Sequence, residues 1–337
     1  MDSPQVSFIT VNYNGKKFLK ICLNSILALD YPQEKLEIIV VDNSSQDGSG
    51  DFIKQNYPQV KLIKNPLNNY CTANNLGIRA SRAEYIALVN NDVELDKYWL
   101  KNLLSVIQKD ERIAGATGKI LLYNQRINST GHRRLAGFYW QDRGFGKKDN
   151  SLYEKIEEIE GLSHCACLYR KSSLLKVGLL DEDFNMYLED VDMCLRLRKK
   201  GYKIYYSPEA LCYHQLHGSA KKSKIKYFYE RNRLLLVAKH YPLQLKEAIF
   251  DGHFFSTVER LDKKFLFSVL DQIKQKTKQN IPLESLKNNI EEFQKKHKLR
   301  IFFMRLIYNL LYYIEINRLI PPIIKKFFLN KNKHRYI

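Results

Sequence analysis

Carboxylates stand at three places in this sequence where they could do chemistry. Asp92 ends the run Tyr85-Ile86-Ala87-Leu88-Val89-Asn90-Asn91-Asp92, which is apolar over the length of a strand and then turns abruptly polar. A short apolar run bounded by turn residues fits a strand buried on both faces. Ligands of open α/β sheets gather outside the carboxyl ends of such strands. Asp92 is therefore placed to hold a hard cation, Mg²⁺ or Mn²⁺, beside a substrate phosphate. Asp42 ends a second apolar run, Leu36–Val41, at a position that commonly accepts hydrogen bonds from a ribose or base. Glu189, Asp190 and Asp192 open a helix that runs to Lys200 and stops at Gly201. The helix dipole favours acids there, but three within four positions exceed what a cap requires.

The elements that must position these groups alternate. Val6–Val11 reads as a first strand and runs into the turn Asn12-Tyr13-Asn14-Gly15. Lys16–Leu29 has a helical period of apolar residues, and strands follow at Leu36–Val41, Val60–Ile63 and Glu84–Val89, with helices around Gly50–Asn56 and Thr72–Ser81. This order predicts βαβ units and a mainly parallel, Rossmann-like sheet. The loops after the first, second and fourth strands then share one edge and can converge on one ligand. Glu94 and Asp96 are read as the cap and first turn of a helix over Tyr98–Gln108. Residues 111–160 show little periodicity, and Tyr202–Tyr206 reads as a further strand ahead of Ala210–Tyr213 and His214. The first turn lacks G-x-G-x-x-G, and no G-x-x-x-x-G-K-[ST] occurs, which disfavours a dinucleotide oxidoreductase or a P-loop nucleotidase.

The chain has 337 residues and a net charge of +19, unevenly spread: +3 over residues 1–220 and +16 over residues 221–337. That asymmetry predicts a composition boundary near residue 220, between one domain over residues 1–220 and a basic region over residues 221–337 with an anionic partner, membrane or nucleic acid; apolar residues at helical spacing make the basic region helical. Six scattered cysteines read as free thiols in a reducing cytosol. With no signal peptide and no uninterrupted apolar run of about 20 residues, a cytoplasmic protein is expected. In residues 301–337, Phe302, Phe303, Leu306, Phe327 and Phe328 accompany Lys325, Lys326, Lys331, Lys333 and Arg335. This segment either holds the protein peripherally on an anionic membrane surface, packs on the protein itself, or pairs two copies. Its aromatics form no repeated stacking motif, so a nucleic-acid partner is not expected.

The blocks VSFITVNYNG, IIVVDNSSQDGS, ANNLGIRAS, YIALVNNDVELD, INSTGHRRLAGFYWQDRGFG, LDEDFNMYLEDVDMCLRLRKKGYKIYYSPEALCYHQLHGS and YFYERNRLLLVAKH occur in an order that resembles family-2 glycosyltransferases of the GT-A fold. The resemblance spans about residues 4–240 and extends to the rhamnosyltransferase-like branch of bacterial surface-polysaccharide synthesis. It implies transfer, with inversion, of a sugar from a nucleoside-diphosphate sugar to a hydroxyl of a glycan or polyprenyl-linked acceptor. Asp42 then holds the base or ribose, with Asn12 and Tyr13 near the base, while Asn74 and Arg79 fall in the segment facing the diphosphate. Asn90-Asn91-Asp92 stands at the DXD position, so Asp92 is its only carboxylate and Asn91 lies beside the nucleotide. His214 matches the histidine that completes the metal or diphosphate site, Mn²⁺ or Mg²⁺, with His217 on the loop beyond. The match assigns the base that takes the acceptor proton to Asp190, with Glu189 the nearest alternative. Arg231 and Arg233 are read as facing the diphosphate. Phe138–Gly146 is read either as a loop closing over a sugar or as a packed surface loop, and His164 either as lining the acceptor side or as a core histidine. A metal-dependent nucleotidyltransferase is the enzymatic rival, although Asn12–Lys17 lacks its Gly-rich basic loop; a non-enzymatic nucleic-acid binder is the other.

Overall fold

The computed structural model describes residues 3–216, 222–250, 263–276 and 282–296. Residues 301–337 and His217 lie outside the described residues. The chain divides into two compact units, Met1–Tyr241 and Pro242–Ile337, so the charge step near residue 220 falls inside the first. No helix among the described residues is long and apolar enough to cross a membrane.

The first unit begins with β1 (Val6–Asn12), α1 (Lys16–Leu27), β2 (Leu36–Asp42), α2 (Ser49–Asn56), β3 (Lys61–Lys64), α3 (Tyr70–Ala80) and β4 (Tyr85–Val89). It continues through β5 (Val93–Leu95), α4 (Trp99–Ile107), β6 (Ile113–Leu122), β7 (Ile127–Ser129), β8 (His132–Arg134), β9 (Trp140–Asp142), β10 (Glu157–Glu158), β11 (Ala166–Arg170), α5 (Lys171–Val177), α6 (Glu189–Lys199), β12 (Lys203–His214) and α7 (Lys222–His240). Ten strands form one sheet along β10-β12-β6-β11-β4-β1-β2-β3, with β5 beside β12 and β7 beside β6; β8 and β9 make a separate hairpin. Strands β3, β2, β1 and β4 are parallel, as their alternation with helices predicts. Strand β11 enters antiparallel between β4 and β6, and β12 then runs parallel to β6.

Strands β1 and β4 are buried on both faces, which is why they read as continuous apolar runs. Helix α1 packs Phe18, Leu19, Cys22, Leu23 and Ile26 into the core, and α4 contributes the fully buried Trp99, whose ring lies 6.2 Å from that of Phe8. Each such side chain contributes on the order of 1.5–3 kcal/mol by leaving water. All six cysteines are free and buried.

Three local readings differ from the structure. Glu94 lies in β5 and accepts from the Tyr123 hydroxyl at 2.6 Å; it caps nothing. Asp96 does close the turn into α4, accepting the Tyr98 N–H at 2.8 Å. The region of little periodicity contains β6, a ten-residue strand that is buried along almost its whole length. The stretches Tyr202–Tyr206 and Ala210–His214 are one strand, β12, with an irregularity between Ser207 and Leu211 that accommodates Pro208. A Cβ at Gly118 would collide with the Ala210 carbonyl at that irregularity, so only glycine lets the two strands approach.

In the second unit the described helices include Lys263–Lys276 and Leu283–Lys296. They bury Leu266, Val269, Leu270 and Ile273 on the former and Leu286 and Ile290 on the latter.

Candidate active site

At the carboxyl edge of the sheet, Asn12 and Asp42 are register partners at the ends of β1 and β2. Both are buried, and Ser45 joins them: its N–H donates to Asp42 Oδ1 at 3.3 Å and its Oγ accepts from Asn12 Nδ2 at 3.1 Å. Asn91 Nδ2 donates to Asn12 Oδ1 at 2.7 Å, so the loops after β1, β2 and β4 are one hydrogen-bonded unit. A Cβ at Gly15 would overlap the Asn91 amide, which explains the glycine after Asn14. Tyr13 is left 39 % exposed beside this unit, a face open to a stacking ligand.

Asp92 follows directly. Its Oδ1 lies 3.2 Å from His214 Nε2, because β12 returns beside β5 with His214 opposite Val93. His214 Nδ1 meets Asn128 Oδ1 at 2.7 Å. An amide oxygen only accepts, so Nδ1 carries the proton and Nε2 is the nitrogen turned to Asp92. That is the arrangement of a histidine ligand whose other nitrogen is fixed by a hydrogen bond. Carboxylate oxygen and imidazole nitrogen together suit Mn²⁺, and also Mg²⁺. Among the described residues no three His, Cys, Asp or Glu side chains converge on one point. Burial disfavours charge on His214, but Cys165 and Asp92 outweigh it and push its pKa up to about 11. A cation between the two side chains would reverse that balance.

The sequence-predicted residues of α3 divide. Asn74 is buried, with Nδ2 3.0 Å from the Tyr70 carbonyl, and Tyr70 reaches Asn90 Oδ1 through its hydroxyl at 3.1 Å. Arg79 sits at the far end of the helix, exposed and 4.0 Å from Glu182, and the structure does not bring it to Asp42 or Asp92. Arg231 donates to the Asp183 carbonyl and to Asn232 Oδ1, both at 2.6 Å. Arg233 is fully buried, bonds Glu230 Oε2 at 3.0 Å and the Gly137 carbonyl at 2.6 Å, and lies under the Tyr139 ring. Both arginines thus hold backbone and side chains of the fold.

The acidic helix start lies beyond Tyr70, whose phenol is pushed up by burial and then by the charge of Glu189. Asp190 keeps 14 % of its side chain exposed and Glu189 only 6 %. Asp190 Oδ2 receives a hydrogen bond from His132 Nε2 at 2.9 Å, and Oδ1 accepts the Val191 N–H at 2.8 Å. Burial would raise the Asp190 pKa, but the His132 charge and hydrogen bond prevail and hold it at about 2. Glu189 is shifted the other way, by burial and by the charge of Asp190. Its nearest partner is His164, 3.6 Å away, and its Oε2 has no hydrogen-bond partner. His164 is itself buried, with Nε2 2.9 Å from the Tyr169 hydroxyl. Asp192 is wholly buried and ties α6 to α7, bonding Arg196 at 2.9 Å and His240 at 2.7 Å.

Sequence reasoning missed His132, Asn128 and Asn232. Asn232 clamps the loop before Glu189. In that loop Asn185, Tyr187 and Leu188 all have positive φ, between 62° and 70°, a region costly for residues other than glycine. The Asn232 amide nitrogen lies 2.8 Å from each of the Phe184, Met186 and Tyr187 carbonyls. Cys71 N–H adds a bond to the Asn185 carbonyl at 3.1 Å. We expect Asn232→Ala to lower stability by about 1–3 kcal/mol, the cost of leaving buried carbonyls unpaired. Thermal unfolding measures this, and an unchanged melting temperature would remove the clamp from the account.

The mainly parallel α/β sheet of this order has the GT-A architecture. The family description Glycosyl transferase family 2 matches residues 7–178, and the chain belongs to that family. It is 27 % identical over 217 residues to a poly-beta-1,6-N-acetyl-D-glucosamine synthase of Staphylococcus epidermidis, covering 62 % of this chain and 49 % of the relative. The synthase of the same name from Staphylococcus aureus strain COL is 25 % identical over 216 residues, with the same coverage. The chain thus spans about half the length of these relatives. Among solved structures, GalNAc-T7 with UDP, GalNAc and Mn²⁺ aligns over 86 % of this chain and 54 % of its own at TM-score 0.57 and 15 % identity. S. aureus TarS 1-349 aligns over 80 % of this chain and 82 % of its own at TM-score 0.52 and 14 % identity. At that identity the likeness is one of fold.

Proposed function

We propose that the chain transfers a sugar, with inversion, from a nucleoside-diphosphate sugar to a hydroxyl of a glycan or lipid-linked acceptor in surface-polysaccharide synthesis. The observation that carries this reading is the pairing of two sites on one sheet edge. Asp92 Oδ1 lies 3.2 Å from His214 Nε2, a pair we read as cation-binding, and Asp190 is a partly open carboxylate at the start of α6. Asp42, Asn12 and Tyr13 bind the ribose and base, and Asn91 holds Asn12 in place for that task. A divalent cation on Asp92 and His214 would act as a Lewis acid on the departing diphosphate. Asp190 takes the proton of the acceptor hydroxyl. The hydroxyl oxygen bonds to the anomeric carbon as that carbon's bond to the diphosphate oxygen breaks, and the electron pair leaves with the diphosphate. The relatives named as poly-beta-1,6-N-acetyl-D-glucosamine synthases support the polysaccharide role. The Mn²⁺ and UDP in the GalNAc-T7 structure support the cation and the type of donor. The rhamnosyltransferase-like branch is the finer assignment. Incubation with UDP-, GDP- and dTDP-sugars, dTDP-rhamnose included, tests it by release of nucleoside diphosphate.

Asp42→Ala should raise the donor KM more than it lowers kcat, because a base or ribose contact is made equally in ground and transition states. A defect confined to kcat would remove Asp42 from nucleotide binding.

A further inference from the structure

We propose that Asp142, His132 and Asp190 form a hydrogen-bonded and ion-paired chain in which His132 is the positioning residue for the Asp190 carboxylate. The inference rests on the reading of Asp190 as the base. The β8–β9 hairpin makes His132 and Asp142 cross-strand partners, with His132 Nδ1 3.4 Å from Asp142 Oδ1. The other ring nitrogen is the one on Asp190 Oδ2, so a single imidazole ring links two carboxylates. His132 is buried and its backbone N–H is fixed to the Gly161 carbonyl at 2.7 Å. The hairpin is itself braced by α7: the Trp140 N–H donates to the Tyr229 hydroxyl at 3.1 Å, and Tyr139 donates to Glu230 at 2.7 Å.

The consequences for Asp190 are geometric and electrostatic. One oxygen is taken by His132 and the other by the Val191 N–H, so the carboxylate cannot turn about its last bond. A base held in a fixed direction gains by avoiding reorganisation when the acceptor arrives. The imidazolium weakens Asp190 as a base, and Asp142 on the far nitrogen moderates that effect. The charges facing His132 are Asp190, Asp142 and, further off, Glu189. Burial opposes its protonation, yet these carboxylates prevail and raise its pKa from 6.5 to about 9. The stabilisation from this pair is therefore complete between pH 3.8 and 6.5, is lost as pH rises through about 9, and is lost again as pH falls through about 2, where Asp190 takes a proton.

The test compares wild type with His132→Gln and Asp142→Asn. The readouts are UDP binding with Mn²⁺ by calorimetry, nucleoside-diphosphate release from the sugar panel across pH, and the titration of His132 by NMR. For His132→Gln we expect UDP affinity unchanged and kcat lower by about tenfold or more. Its acid limb should move up towards the ordinary carboxylate range, and the alkaline transition near 9 should vanish. Asp142→Asn keeps the imidazole and should bring the His132 titration down with a smaller loss of kcat. Because it leaves the ring in place, it remains informative if His132→Gln folds poorly. A loss of kcat with an unchanged pH profile in both variants would mean a merely structural role and overturn the proposal, as would wild-type rates. Failure of the wild type to cleave any donor would overturn the transfer reading. In that event the NMR titration still decides the chain: an ordinary His132 titration in the wild type sinks it, and one near 9 that falls in Asp142→Asn sustains it.

Discussion

Asp190→Asn is expected to keep the fold and donor binding while losing roughly 10²–10⁴-fold in kcat, the usual worth of a general base. That range corresponds to about 3–5 kcal/mol of transition-state stabilisation. Asparagine is nearly isosteric and can still accept the Val191 N–H, so the helix start should survive. What disappears is the one carboxylate of the acidic cluster that combines partial exposure with a depressed pKa, about 2, and is therefore ionised at any working pH. Glu189→Gln should cost less. Glu189 is the more deeply buried of the two, and burial with the charge of the neighbouring Asp190 raises its pKa, so it is the less accessible carboxylate. If Glu189→Gln proves the more damaging in steady-state kinetics, the base assignment is off by one residue.

Asp92→Ala should abolish the metal-dependent part of nucleotide binding. Asp92 is the only carboxylate in Asn90-Asn91-Asp92, and the Asn91 amide is already engaged with Asn12. His214 would remain as a single nitrogen donor fixed by Asn128, too little to hold Mn²⁺ or Mg²⁺ against water. Calorimetric titration with nucleoside diphosphate (UDP, GDP and dTDP in turn), with and without Mn²⁺, measures the loss. Metal-dependent affinity equal to that of the wild type would dismiss the pair as the cation site. If Asp42 and Asn12 hold base and ribose as proposed, the variant should keep a weaker, metal-independent affinity.

What could be read from the sequence follows from where each residue sits. The positions of Asp42, at the end of β2, and of Asp92, in the turn just beyond β4, were legible because both strands are continuous apolar runs that stop abruptly in polar residues. Strand β6 was not legible, although it is the longest strand but one in the sheet. Nine of its ten residues are buried, so no polar face alternates with an apolar one, and its Gly115 and Gly118 resemble loop punctuation. Glu94 was misplaced for a related reason: the three-residue strand β5 is defined by its pairing with β12, more than a hundred positions away in the chain. The second layer of the site is of this non-local kind. His132 lies 58 positions before Asp190, in a stretch with no period, and reaches it only through the β8–β9 hairpin. Asn232 lies past the charge step that marked a boundary, yet α7 belongs to the first unit and clamps the loop that presents Glu189 and Asp190.

The central claim, transfer from a nucleotide sugar with Asp190 as base, is tested most directly by phosphorus and proton NMR of the wild-type protein with the sugar panel and Mn²⁺. The account predicts nucleoside diphosphate from at least one donor, a first-formed sugar product of inverted anomeric configuration, and loss of both signals in Asp190→Asn. Retained configuration would contradict the inverting mechanism. Pyrophosphate released from a nucleoside triphosphate, with every nucleotide sugar left intact, would contradict glycosyl transfer itself.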